Sequence, residues 1–415
     1  MEKKSDVIVI GGGVIGVCTA YYLQKSGKQV TLLERDQICS GASFGNSGLI
    51  VPSHSVPIPG PGVVFKALKW MFDGESPFYV KPRFDLDLLT WFWKFRSNCN
   101  HDRIKKSLKS LVQLSRSSRF LYDELLSQEK IDCDYQTSGL IMVYNTENGY
   151  MEGVHEARLM KDLGLSIEEM KSTDLIELEP AIRPDVFGGV YYSEDAFLNP
   201  LRFVKSLSNV IKNMGVDIKE GIEVSGFENY SKDDQIVTTN SGDYSCEQLV
   251  IATGSWSRNL AKKLNINLPV EPAKGYSVTF DRADSNLKHA LILGEAKIGV
   301  NPMNDKIRLA GTLELAGDDL TVNMRRVKAV VKASKSYLNS GNSFKPDNVW
   351  AGLRPVTPDG VPIIGNTPAY PNVVVATGHA TIGMTLGPIT GKLVSEIING
   401  EKPSIDVGPL SPTRF

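Results

Sequence analysis

The feature that most constrains this chain lies at its start, where the buried-type run Val7-Ile-Val-Ile10 leads directly into Gly11-Gly12-Gly13-Val14-Ile15-Gly16 and Val30-Thr-Leu-Leu-Glu34 follows. This reads as a strand, a glycine turn, a helix closed by Gly27, and a second strand ending in a carboxylate. Gly11 permits the tight turn, Gly13 lets the backbone approach a pyrophosphate, and Gly16 lets the helix pack on the sheet. Val14 and Ile15 open the helix, whose free N–H groups face the phosphates. Glu34, roughly twenty residues on, is placed to accept from both ribose hydroxyls of an adenosine, with Arg35 beside it. A glycine-rich core turn with a merely solvated Glu34 is the competing reading, but strand, helix and acidic strand end all agree on a dinucleotide site. A signal peptide, suggested by Lys3-Lys4 before an apolar run, fails for want of a small-residue cleavage site.

At 415 residues the chain suits two domains. Its 46 basic and 47 acidic residues leave no global field to draw nucleic acid or an anionic surface. Cys18, Cys39, Cys99, Cys133 and Cys246 are scattered, odd in number and without metal-type spacing, so neither a disulfide framework nor a metal site is expected and a reducing cytoplasm is. No apolar run reaches the roughly eighteen residues of a spanning helix, which restricts any membrane contact to a peripheral one at the inner face.

Dinucleotide-type strands return at Gln248-Leu-Val-Ile-Ala-Thr253-Gly254 and at Val373-Val-Val-Ala-Thr-Gly378, the latter ahead of a final helix around Gly391 to Asn399. The expected architecture is therefore α/β: a discontinuous Rossmann-type domain over 1–75, 196–262 and 348–415, with a sheet-plus-helix substrate domain inserted over 76–195 and 263–347. Residues 80–180 carry helical periodicity, while Tyr276-Ser-Val-Thr-Phe280, Ile298-Gly-Val300 and Ile307-Arg-Leu-Ala310 read as strands, with Asn304-Asp305 as a hairpin turn. Asn46 to Gly62 is a long loop rich in glycine and proline, a connector or an active-site cover. Gly408 to Phe415 reads as a loose tail.

A flavin must be held along its whole length, and the later glycine turns supply this. Gly378-His379-Ala-Thr-Ile382-Gly383-Met384-Thr385 offers N–H groups at a helix start, suited to the pyrimidine edge of an isoalloxazine, or is simply a capped helix. The Ser40 to Gly48 loop, with Ser43, Asn46 and Ser47, wraps the pyrophosphate and ribitol or merely connects.

The chain resembles the D-amino-acid dehydrogenase flavoproteins, within the glycine oxidase and D-amino-acid oxidase superfamily. The resemblance is carried by GGGVIG, SGASFGNSG, Pro61 to Phe72 (PGVVFKALKWMF), Lys274-Gly-Tyr276-Ser, Gly352-Leu-Arg354-Pro-Val-Thr-Pro-Asp-Gly360 and Ala376-Thr-Gly-His379, in family order along nearly the whole chain. It implies FAD, a small amino-acid substrate at the flavin face, hydride transfer from Cα to flavin N5, and hydrolysis of the imine to a 2-oxo acid and ammonia. It also implies electrons leaving to a quinone-type acceptor. No strong protein base is required, so the site must supply orientation and charge.

On this resemblance the carboxylate-binding arginine falls on Arg354, whose planar fork matches a carboxylate. A salt-bridged arginine in a buried turn is the alternative. Tyr276 donates to the same carboxylate or packs in the sheet. Lys274 faces flavin or substrate or sits in an exposed turn. His379 reads as a structural histidine, and His54, in the long loop, as a substrate contact. Trp70, Trp91, Phe92 and Trp93 with nearby lysines read as core, or as a membrane-interface patch.

Ala380 and Met384 stand where the family pattern has glycine and tryptophan, and Ser193 to Pro200 lacks the usual glycine-aspartate ending, closer to oxidases of glycine or secondary amines. A dehydrogenase of D-hydroxyproline or D-proline, an oxygen-consuming oxidase and a non-catalytic FAD relay subunit are the rival readings. An intact Arg354 argues against the relay, which needs no carboxylate clamp.

Overall fold

The computed structural model describes residues 4–60, 76–228, 235–282, 286–339 and 346–415. The Pro61 to Phe72 motif, with Trp70, lies outside them. The strand Ser5–Ile10 ends in four buried apolar residues and takes the centre of a parallel sheet. Val30–Glu34 pairs with it on one side and Gly242–Ile251 on the other. Asp217–Glu220 and Tyr370–Thr377 extend the sheet outward, both parallel. The expected late strands thus lie in the first strand's own sheet, far apart in sequence and adjacent in space. An antiparallel hairpin, Val224–Glu228 with Gln235–Thr239, continues from the start of Gly242–Ile251.

Helix Val14–Lys25 buries Val14, Val17, Cys18 and Leu23 against Leu386, Ile389 and Leu393 of helix Gly383–Ile398. The long helix His101–Glu129 packs into the same layer, against helix Gly383–Ile398, through Leu111, Leu114, Leu121 and Leu125. It lies within 76–195, the span expected to belong to the inserted domain, yet its amphipathic face is spent on the dinucleotide layer.

The second sheet runs Asn348–Val356, Glu271–Asp281, Lys306–Leu315, Ile298–Pro302, Ala290–Leu293, Leu140–Tyr144, Gly188–Tyr192 and Ile167–Lys171. The expected hairpin at Asn304-Asp305 is there, with Pro302 opposite Ile307. Leu140–Tyr144 lies in the stretch expected to be helical, but five consecutive buried apolar residues make it an interior strand, which periodicity alone does not distinguish from a short buried helix. Asn348–Val356 pairs with Glu271–Asp281, so the chain returns to the first sheet after Val356 rather than at 348. The tail is docked, not loose: Leu410 is buried, and Arg414 grips Asp359 at 2.7 Å and the Val361 carbonyl. No helix among the described residues is long and apolar enough to cross a membrane.

Candidate active site

A cleft of about 2070 Å³ runs from the C-terminal ends of the parallel strands to the face of the second sheet. Gly11, Gly13, Val14 and Ile15 line one part of it, with Glu34 and Arg35. Gly11 takes φ +111°, open only to glycine at low cost, and a Cβ on Gly16 would lie 1.8 Å from the Gly11 carbonyl oxygen. Turn and helix therefore touch backbone to backbone. Gly12 N–H donates to Glu34 Oε2 at 2.6 Å and Asp36 N–H to Oε1 at 2.9 Å, fixing the carboxylate at the cleft edge. Arg35 lies over the Trp256 ring at 4.9 Å.

The Ser40 to Gly48 loop is held, not free. Val14 N–H donates to Ser43 Oγ at 3.0 Å, Gly48 N–H to Asn46 Oδ1 at 2.8 Å, and Arg308 Nη1 to the Phe44 and Asn46 carbonyls at 2.9 Å each. Ser43, Asn46 and Ser47 line the cleft, as do Thr253, Gly254, His379, Ile382, Gly383 and Met384. A helix N-terminus, an acidic strand end and two further glycine turns on one cleft fit a long dinucleotide. Gly16, Gly48, Gly378 and Thr385 stand behind the lining; Thr385 Oγ1 is taken by Leu49 O and Val51 N–H. Ala380, where the family pattern has glycine, takes φ +46° with its N–H on Pro355 O, so the backbone keeps the glycine shape. Glu34→Ala should weaken FAD binding by about 1–3 kcal/mol, since it removes the carboxylate from the cleft edge and orphans Gly12 N–H; fluorescence titration of apoprotein with FAD measures it, and unchanged affinity would make Glu34 a bystander.

At the other end Trp350, Gly352 and Arg354 line the cleft from one strand at alternate positions. Arg354 Nη1 donates to Thr312 O at 2.7 Å. No carboxylate pairs with it among the described residues. Burial presses its pKa down to about 10, still far above neutral, so the charge is kept. Tyr276, by contrast, does not line the cleft: it is buried, and its hydroxyl bonds Glu314 at 3.1 Å. Lys274 is neither at the cleft nor in an exposed turn. It is buried in an ion cluster with Asp319 at 3.2 Å and Glu314 at 3.4 Å. The strand's alternation turns both side chains away from the lining and into that cluster.

His54 lines the cleft on the turn Pro52–His54. His379 Nε2 lies 2.9 Å from Thr390 Oγ1, a structural role. Loss of water pushes the two imidazoles down to about 4 and about 3, with the Lys297 ammonium adding to the effect at His54. The neighbouring Ser53 gives its N–H and Oγ–H to Asp195, whose fully enclosed carboxyl burial pushes up to about 7. Between about pH 4 and 6.5 the unfolded chain protonates both histidines while the native state does not, so their contribution to stability rises with pH. Asp195 acts oppositely from about pH 4 to 7, because the native state holds a proton that the unfolded chain has released. Asp195→Asn should therefore steepen the rise of unfolding free energy with pH by about 1.4 kcal/mol per unit in that window. Urea unfolding across the window reads it, and parallel wild-type and variant curves would refute it.

Sequence reasoning missed Arg308, Thr312, Trp350 and Asp195. Trp350 alone had a visible signal: it stands two residues before Gly352 and four before Arg354, one face of a strand.

The model of the FAD dependent oxidoreductase family matches residues 6–397. The D-amino acid dehydrogenase of Vibrio atlanticus (strain LGP32) is 30% identical over 99% of this chain and 100% of its own. The glycine oxidase of Geobacillus kaustophilus superposes with a TM-score of 0.82 at 22% identity, covering 99% of each chain. The L-proline dehydrogenase of P. horikoshii gives 0.80 at 19% identity, covering 100% of this chain and 98% of its own.

Proposed function

Because the chain belongs to the FAD-dependent oxidoreductase family, its cofactor is FAD, and we propose that it oxidises D-amino acids to 2-oxo acids and ammonia and passes the electrons to a quinone-type acceptor. The observation that carries this reading is Arg354: a guanidinium kept charged with no carboxylate partner among the described residues, on the wall of the cleft that also holds the glycine turns and Glu34. A half-buried guanidinium with one main-chain partner keeps donors free for an anion, and every amino acid brings one. Bound FAD supplies the two-electron acceptor. Arg354 takes the substrate carboxylate and so sets where Cα lies. Trp350 and the turn at His54 wall the cleft and limit water. His54, held neutral, places no competing cation beside the substrate amine. A subunit that only relays electrons has no use for Arg354.

The acceptor side has its own support. Helix Leu86–Asn98 buries Leu88, Trp91 and Phe95 and turns Leu86, Leu89 and Trp93 outward. Trp93 is 75% exposed and Phe84, just before the helix, 94%. Leu89, Phe92, Trp93 and Arg96 also line the cleft, beside Lys94. An apolar rim flanked by cations suits peripheral contact with an anionic membrane face from which a quinone arrives. Trp91 itself is core, stacked on Phe95 at 5.1 Å.

The test is a screen of the yellow holoenzyme with D- and L-amino acids, D-proline and D-hydroxyproline, first with a dye or short-chain quinone, then in air, with and without anionic vesicles. Ammonia release from D-amino acids, faster with the dye than with oxygen, and co-sedimentation with vesicles are expected. Turnover of cyclic secondary amines alone overturns the substrate assignment, stoichiometric hydrogen peroxide in air overturns the acceptor, and no vesicle binding removes the membrane contact.

A further inference from the structure

Arg354 is held by one main-chain carbonyl, and the strand that provides it is deformed at that point. Tyr276 lies opposite Gly311 and Lys274 opposite Glu314, so two residues, Thr312 and Leu313, face the single Gly275. This is a β-bulge. Thr312 takes φ +67°, a left-handed conformation that a β-branched residue adopts only under constraint. The constraint is visible beyond the bulge, where Glu314 is buried between Arg326, at 2.7 Å, and Lys274. The bulge turns the Thr312 carbonyl onto Arg354 Nη1 at 2.7 Å. Gly275 forms the floor: a Cβ there would fall 1.7 Å from Nη1 and 2.2 Å from Cζ, so the guanidinium lies flat on bare backbone.

We propose that the Thr312 bulge and the bare Gly275 form a positioning device for Arg354, one fixing Nη1 and the other the plane of the guanidinium, so that its remaining donors are presented to the substrate carboxylate. This rests on the carboxylate-binding reading of Arg354. A free arginine side chain rotates about four bonds, and a misplacement of about 1 Å can cost about a hundredfold in rate. Two backbone constraints remove that freedom without a carboxylate that would compete with substrate.

The experiment compares holoenzyme of Gly275→Ala, Thr312→Gly, a Thr312 deletion and Arg354→Ala. It reads KM and kcat for the best D-amino acid, the Kd of its 2-oxo acid by tryptophan fluorescence, FAD content and the thermal midpoint. Gly275→Ala should raise KM and the 2-oxo acid Kd about tenfold or more, with FAD content unchanged, because the three atoms nearest the new methyl all belong to the Arg354 guanidinium. Deleting Thr312 restores regular pairing around Glu314 and should do the same. Thr312→Gly, which keeps the extra residue and its carbonyl and accepts the left-handed conformation, should bind the 2-oxo acid more tightly than the deletion variant does. If the deletion variant does not fold, Gly275→Ala decides, since its methyl falls closest to the movable end of a side chain. Near-wild-type binding in Gly275→Ala, alongside a loss in Arg354→Ala, overturns the device and leaves the role of Arg354 standing. A loss in Thr312→Gly equal to the deletion's assigns the effect to the side chain and also overturns it. Unchanged 2-oxo acid binding in Arg354→Ala is instead a failure of the carboxylate-binding reading itself.

Discussion

Arg354→Lys should raise KM and lower kcat together while leaving FAD content normal, and Arg354→Ala should lose roughly two to three decades of kcat/KM. Lysine keeps the charge but not the planar fork, so the carboxylate is attracted without being oriented. Alanine removes one member of the proposed charge-assisted pair, a loss of about 2–5 kcal/mol. The alanine variant should also lose the preference for carboxylate-bearing amines over plain amines, which a purely structural arginine would not govern. Steady-state kinetics with a D-amino acid and its decarboxylated amine measure both effects. An alanine variant with wild-type kcat/KM and selectivity would place the carboxylate elsewhere. Because burial lowers the Arg354 pKa only to about 10, charge is not limiting near neutral pH, and the effect should be flat there.

Much of the cofactor cradle was legible because its determinants are local. Gly11 to Gly16 and Glu34 lie within one strand-turn-helix-strand unit, and Gly11 and Gly16 each answer a demand that neighbouring backbone makes. On the far side of the cleft, Arg354 and His54 are the substrate contacts singled out from the sequence that reach the lining. Tyr276 and Lys274 occupy a motif that reads as site chemistry, yet their side chains go to Glu314 and Asp319, and nothing near them in sequence announces Glu314, 38 residues beyond Tyr276. Thr312 is stranger still: its role belongs to a carbonyl aimed by a bulge, and residue type does not encode that. The sheet that takes the strand after 348 was hidden for a related reason. Asn348–Val356 is an edge strand completed by Glu271–Asp281, and no composition change marks the point where the chain leaves one sheet for the other.

The fold and the cofactor site meet in Gly16, where the second large effect is expected. Gly16→Ala would place a methyl carbon 1.8 Å from the Gly11 carbonyl oxygen and 3.0 Å from its carbon. Both atoms are backbone, so no side chain rotates away, and the helix must lift from the turn. Gly11 N–H is bonded to Leu33 O at 2.8 Å and Gly12 N–H to Glu34, so the turn is tied to the neighbouring strand and does not follow the helix. The strain should cost about 1–3 kcal/mol or more of stability. Flavin binding should suffer further, because the N–H groups of the first helical turn and the carboxylate of Glu34 must face one ligand at once. The purified variant should therefore be folded but largely colourless, with a lowered thermal midpoint that added FAD restores poorly. If Gly16→Ala retains stoichiometric FAD and a wild-type midpoint, the helix and turn are not packed as tightly as this geometry requires, and the cradle is set by other contacts.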